Sequence, residues 1–158
     1  MQTLPHTRSC FVCGEANPLG FNLRFVTDGR IVHAKFTPRA EHGGFKGVVH
    51  GGAIATVLDE IMVWACAVQT KSFVFCAELK VRYLNPMPPG AEVRLTGELA
   101  ANRKGRLFEA KAAAKDADGR TLAEATGKYL PIKNSHAREF AVDFVGDAAW
   151  LLGDVKSP

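Results

Sequence analysis

The stretch from His50 to Gln69 limits what this chain can fold into more than any other part of it. It reads His-Gly-Gly-Ala-Ile-Ala-Thr-Val-Leu-Asp-Glu-Ile-Met-Val-Trp-Ala-Cys-Ala-Val-Gln. Ile54, Leu58, Ile61, Ala65 and Val68 recur at helical spacing and predict a helix from Gly51 to Val68. Ala53, Ala55, Val57, Met62, Val63, Trp64 and Cys66 fill its other sides, and a helix apolar nearly all round must be covered nearly all round. Its length is close to that of a membrane span, but two adjacent carboxylates near its middle argue against lipid.

Those carboxylates are Asp59 and Glu60, the only charged residues between His50 and Gln69. An ionised acid among apolar side chains is costly unless it is paired, hydrogen-bonded or protonated. Neighbours on a helix point about 100° apart, so the two acids face different surroundings. Asp59 looks across Ala55, Thr56, Val63 and Cys66, with Gly52 two turns back. That small, partly polar face suits a groove where a ligand nears the helix. Glu60 shares its side with Thr56, Val57 and Trp64, where a structural hydrogen bond fits well. Either acid is equally compatible with a structural ion pair. At the helix start, Gly51 and Gly52 offer free N–H groups at the positive end of the helix dipole, donors suited to a developing oxyanion. Two glycines before a helix also describe an ordinary turn.

Around this helix the chain reads as strands. Phe21 to Val26 and Arg30 to Thr37 alternate and are joined by Thr27-Asp28-Gly29, a hairpin signal. Phe73, Phe75, Ala77, Leu79, Val81 and Tyr83 form one face of a strand, with Glu78, Lys80 and Arg82 on the other. Glu92–Ala101, Gly105–Lys115 and Arg120–Leu130 follow, separated by Asn102-Arg103-Lys104-Gly105 and Asp116-Ala117-Asp118-Gly119. Phe108, Ala110, Ala112 and Ala114 make a small inward face, as do Ala123, Ala125, Gly127 and Tyr129. The expected class is α+β: about six antiparallel strands wrapped on one long buried helix. Residues 1–20 read as an irregular lead-in lying on the surface. Residues 21–133 make the domain. Residues 134–158 form an extension in which Phe140, Phe144, Trp150, Leu151 and Leu152 suggest a short helix packing on the body or a partner.

With 158 residues, 47% hydrophobic and 23% charged, the chain is ordinary for one globular domain. A net charge of +4 suits an anionic ligand, while the lack of a Lys/Arg run excludes a nucleic-acid partner from the reading. Met1 to His6 lacks a charged-then-apolar signal, and the expectation is the cytoplasm. Cys66 falls in the helix and Cys76 in a strand, so neither requires a disulfide. Cys10-x-x-Cys13 is half of a zinc spacing, with His6 a candidate third ligand. No second Cys or His pair completes it, so the sequence assigns no metal and reads a turn there.

Gly47-Val48-Val49-His50-Gly51-Gly52, followed by Leu58-Asp59-Glu60, resembles the hotdog-fold acyl-CoA thioesterases of the phenylacetate-degradation (PaaI-like) type. That family's pattern is His-Gly-Gly with an acid nine positions after the His, which His50 and Asp59 match. Val81-Arg82-Tyr83-Leu84-Asn85-Pro86 resembles the family's strand ending in Tyr-Leu-x-Pro. Cys10-Phe11-Val12-Cys13-Gly14 with Asn17-Pro18-Leu19-Gly20 is similar to the lead-in of one branch, so the likeness runs from Cys10 to Ile132.

The resemblance implies a hotdog fold, no cofactor, and hydrolysis of an acyl-CoA to free acid and CoA. Asp59 would be nucleophile or general base, the Gly51 and Gly52 amides would polarise the carbonyl, and His50 would orient substrate or cap the helix. Eight helical residues rise about 12 Å, so Asp59 and the amides of one chain cannot meet on one carbonyl. A homodimer with shared sites is therefore expected, as in the family, and a pair of dimers is compatible with it. Two positions depart from the pattern. Gly43 and Gly44 stand where relatives often carry Asn or Gln, leaving His42 as the substitute. Cys76 stands where they often carry Ser or Thr, and a thiol is the poorer donor. His42, Cys76 and Glu60 are the candidate substrate-side residues. Arg103, Lys104 and Arg106 are candidates for the CoA phosphates, or else a solvated turn. Phe73, Phe75, Trp64 and Met62 suggest an apolar acyl pocket, or simply a core. The competing function is a hotdog module that binds an acyl-CoA or apolar ligand without turnover, and a third is a zinc-stapled interaction module.

Overall fold

The computed structural model describes residues 1–151. The central helix α1 runs Gly51–Thr70, two residues beyond the expected end. His50 caps its start: the imidazole Nδ1 accepts the Gly52 N–H at 2.9 Å. Lys71 closes it in the left-handed conformation, its N–H donating to Ala67 O. Ile54, Val57, Leu58, Ile61, Met62, Trp64, Ala65, Cys66, Ala67 and Val68 are buried. The helix is long and apolar enough to cross a membrane. Here the same apolar surface is covered by a curled sheet.

The elements preceding α1 are β1 (Gln2–Thr3), β2 (His6–Thr7), β3 (Phe25–Thr27) and β4 (Ile31–Phe36). After it come β5 (Val74–Tyr83), β6 (Val93–Asn102), β7 (Phe108–Lys115) and β8 (Thr121–Pro131). A short helix α2 (Asn134–Ala141) and β9 (Phe144–Val145) follow. Seven strands form one antiparallel sheet in the order β1-β3-β4-β6-β7-β8-β5. This is the α+β hotdog arrangement, a sheet wrapped on one helix. The small inward residues act as expected. Ala110, Ala112, Ala114, Ala123 and Ala125 are buried against α1. On β6 a Cβ at Gly97 would sit 2.8 Å from Ile61 O, so the helix backbone lies directly on the sheet there.

Four features differ from the sequence expectation. Only Phe25 and Val26 of the first expected strand pair, and the strand runs on through Thr27, expected in the turn. Asn22 adopts a positive φ of 54°, and the Phe21 and Leu23 amides donate to Phe11 O and Val12 O instead. The lead-in is also not a surface strap: Leu4, Val12 and Cys13 are buried in the core, and β1 and β2 pair with β3 and β9. The third difference is in β5. A bulge between Cys76 and Glu78 inserts Ala77 as an extra residue, which reverses the alternation. Leu79, Val81 and Tyr83 pair with Gly127, Ala125 and Ala123 on the helix side, as expected. Before the bulge it is Val74 and Cys76 that face inward, and Phe75 is 51% exposed. Finally, the C-terminal extension holds a strand and a single 3₁₀ turn (Ala149–Leu151) as well as its helix. Phe144 packs edge-on against Trp64 and beside Phe73. Leu152, expected in that apolar group, lies outside the described residues.

Candidate active site

Asp59 sits in the middle of α1, partly buried, opposite the inward face of β8 and β5. The Tyr129 hydroxyl donates to Asp59 Oδ1 at 2.8 Å. Tyr129 is fully buried, and its register partner across the sheet is Cys76. The bulge at Ala77 is what turns the Cys76 thiol inward, towards Asp59. Burial first, then the neighbouring carboxylate, pushes the Cys76 thiol up to about 11, so it stays protonated at neutral pH. Tyr129 is likewise raised far above its ordinary value, chiefly by burial and then by the charge of Asp59. Both neighbours are therefore neutral beside the carboxyl group of Asp59. One of its oxygens is fixed by the phenol; Oδ2 makes no hydrogen bond among the described residues. Such a carboxylate can attack a carbonyl or take a proton from water.

Sequence reasoning put Tyr129 on the inward face but missed it as the partner of Asp59. The signal was present in Gly127. A Cβ at that position would lie 2.6 Å from the Tyr129 ring, so the glycine opens the space in which the ring lies and reaches the helix.

The helix start forms a second, separate locus. Gly51 N–H makes no hydrogen bond among the described residues, whereas Gly52 N–H is already held by His50. Tyr83, at the end of β5, donates its hydroxyl to Gly51 O at 2.9 Å and ties the strand to the helix start. A cavity of about 320 Å³ opens here, lined by Phe45, Val48, Ile54, Tyr83, Leu84 and Met87 among others. Phe45 is 86% exposed at its rim.

The remaining expected site residues are distributed differently. The His42 ring packs edge-on to Phe21 at 4.6 Å and stacks over Phe36 at 6.0 Å, while its Nδ1 accepts the Arg39 N–H at 3.0 Å. Its carbonyl accepts the His50 N–H at 2.8 Å, so His42 braces the loop before the helix. Burial and the nearby Arg39 charge lower its pKa and keep it neutral. Glu60 does not join Asp59: its carboxylate turns to the thiols of Cys10 and Cys13, at a different cavity. Arg103, Lys104 and Arg106 lie on the exposed β6–β7 turn, where Lys104 and Gly105 both take positive φ. Arg103 Nε bonds Glu109 at 3.0 Å, leaving Lys104 and Arg106 as that turn's cations without an ion pair among the described residues. Phe73 and Trp64 line the Glu60 cavity, Met62 is in the core, and Phe75 faces solvent, so the expected aromatic pocket does not form as one unit.

A sequence profile of the thioesterase superfamily matches residues 46–123, which hold the helix start, Asp59 and Cys76. A solved thioesterase superfamily protein is 29% identical with a TM-score of 0.71, over 78% of this chain; the chain spans 63% of that protein's length. The Escherichia coli PaaI protein from the phenylacetic acid degradation operon is 17% identical, with a TM-score of 0.65 over 72% of this chain and 81% of that one. A Streptococcus mutans protein solved bound to acetyl CoA is also 17% identical, with a TM-score of 0.65 over 70% and 89% of the two chains. The curled sheet on a single buried helix and the profile match agree: the chain has the hotdog fold, and over residues 46–123 it is similar to the thioesterase superfamily.

Proposed function

We propose that the protein is an acyl-CoA thioesterase of the PaaI-like type, with Asp59 as nucleophile or as the base that activates water. The observation that carries this reading is the Asp59 carboxylate itself: anchored through Oδ1 by buried Tyr129, flanked by a neutral thiol, and free at Oδ2. The acetyl CoA bound by the S. mutans neighbour supports a CoA thioester as the ligand class. In the nucleophilic route Oδ2 attacks the thioester carbon, CoA leaves as its thiol after taking a proton, and water cleaves the resulting mixed anhydride. In the base route Asp59 takes a proton from water, which attacks directly.

Either route needs a donor for the oxyanion, and the helix start of the same chain is about 12 Å away along α1. A second copy supplies it. Its free Gly51 N–H is the first donor, and Gly52 joins only when the His50 ring releases it. Strand β5 supports the dimer, since it is ten residues long, sits at the end of the sheet, and has one unpaired edge. Lys104 and Arg106 on the β6–β7 turn suit the CoA phosphates, since the register puts that turn just beyond the level of Tyr129.

The test is a hydrolysis screen over short, medium, long and aryl acyl-CoAs with released thiol as the readout, run on the parent and on Asp59→Asn. The amide oxygen of Asn still accepts the Tyr129 hydroxyl, so the fold survives. Turnover is expected to fall by about 10² to 10⁴-fold. Near-parent turnover by the variant on the best substrate would refute the mechanism and leave a binding module.

A further inference from the structure

The segment from Cys10 to Gly14 forms a tight knuckle. Cys10 Sγ accepts the N–H groups of Val12 at 3.2 Å and Cys13 at 3.5 Å, and Gly14 N–H closes the turn on Cys10 O at 2.9 Å. A side chain at position 14 has no room, because its Cβ would lie 2.3 Å from Cys10 O. The knuckle brings both sulfurs to one point, and Glu60 of α1 meets them there. Cys10 Sγ lies 3.9 Å and Cys13 Sγ 3.6 Å from Glu60 Oε1, and the three donor atoms all lie within 4.8 Å of one another.

The sulfur–oxygen separations are close to those between a tetrahedral ion's ligands. Bonds of about 2.3 Å to sulfur and about 2.0 Å to oxygen imply S···O distances near 3.5 Å and S···S distances near 3.8 Å. Glu60 is partly buried, and among the described residues it forms no ion pair. A carboxylate drawn in beside two thiols lacks a positive partner. A dication supplies it, and a donor set of two sulfurs with one oxygen suits zinc better than magnesium or calcium. A second observation points the same way. The cluster opens on a cavity of about 240 Å³ that is also lined by Thr7, Trp64 and Phe73. Trp64, 4% exposed, has its Nε1 buried there with no hydrogen-bond partner, a donor suited to an oxygen ligand on the ion.

We propose that Cys10, Cys13 and Glu60 bind one zinc ion, with water completing the tetrahedron, and that the ion staples the N-terminal lead-in to the middle of α1. Binding displaces to solvent whatever protons the three ligands carry and leaves two thiolates and a carboxylate on the metal. His6, the third ligand the sequence suggested, is held by Glu15 at 3.1 Å; Glu60 takes that place. Both cysteines lie outside the stretch matched by the family profile and Glu60 lies within it; the site uses neither Asp59 nor the helix-start amides. It fixes the helix one residue after Asp59 without touching substrate.

The experiment is titration of the reduced, full-length, metal-free protein with Co²⁺, followed by displacement with Zn²⁺. One equivalent of cobalt with thiolate-to-cobalt charge-transfer absorption is expected, bleached by zinc. Cys13→Ser should abolish that absorption, and Glu60→Gln should weaken metal affinity by about 10-fold or more. Glu60→Gln is nearly isosteric and decides the matter if the serine variant does not fold. The proposal is overturned by a reduced parent chain with no thiolate absorption, or by Glu60→Gln binding cobalt as tightly as the parent. A purified chain that lacks two free thiols and regains no metal binding on reduction overturns it too, in favour of a Cys10–Cys13 disulfide.

Discussion

Replacing Tyr129 with Phe removes one oxygen from a fully buried side chain and leaves its ring in place over Gly127. The lost contact is the 2.8 Å hydrogen bond to Asp59 Oδ1, for which no other donor stands among the described hydrogen bonds. A hydrogen bond to a charged group contributes about 1.5–3 kcal/mol. That carboxylate is the attacking or proton-accepting group, and without its anchor kcat/KM should fall by about 10 to 10²-fold. Folding should weaken by about 1–3 kcal/mol, a fall in Tm of about 2–10 °C for a domain of this size. Stopped assays of thiol release, with thermal unfolding of both proteins, give the two readouts. A variant that keeps the parent's rate would mean that Tyr129 does not hold the working carboxylate.

Three further outcomes follow from the packing and the titrating groups. Gly97→Ala drives a methyl into Ile61 O at 2.8 Å and should cost about 1–3 kcal/mol, read as a lower denaturation midpoint; an unchanged midpoint would mean the helix sits off the sheet. Burial raises Cys76 to about 11 and Cys66 to about 12, above the ordinary thiol value of 9.0. The folded state then holds thiol protons that the unfolded chain gives up. This contribution is fully present below about pH 9 and is lost as pH rises through 11 to 12. Alkaline unfolding of Cys66→Ala should show a shallower pH slope than the parent, and an identical slope would exclude the buried thiol as a cause. Sedimentation at micromolar concentration should give at least a dimer, and an active, purely monomeric species would eliminate the shared site.

Local pattern determined much of this protein. The spacing of apolar residues from Ile54 to Val68 specified a helix that had to be covered. The Ala faces at 110–114 and 123–125, with the turns at Gly105 and Gly119, specified antiparallel strands able to approach it closely. Residue type and position on that helix were enough to separate Asp59 from Glu60, because neighbours on a helix cannot face the same way. What each acid meets was decided only in three dimensions. Tyr129 lies seventy residues from Asp59 in sequence, and Cys13 lies forty-seven from Glu60. Such contacts depend on register and on where a strand is bulged. The extra residue at Ala77 illustrates the limit: one insertion inverted the inward face of β5 before it and brought Cys76, not Phe75, beside the carboxylate. Alternation is a property of neighbouring residues and can be read along the chain. A bulge is stabilised by the strand across from it, so the reversal it imposes exists only once β5 and β8 have paired.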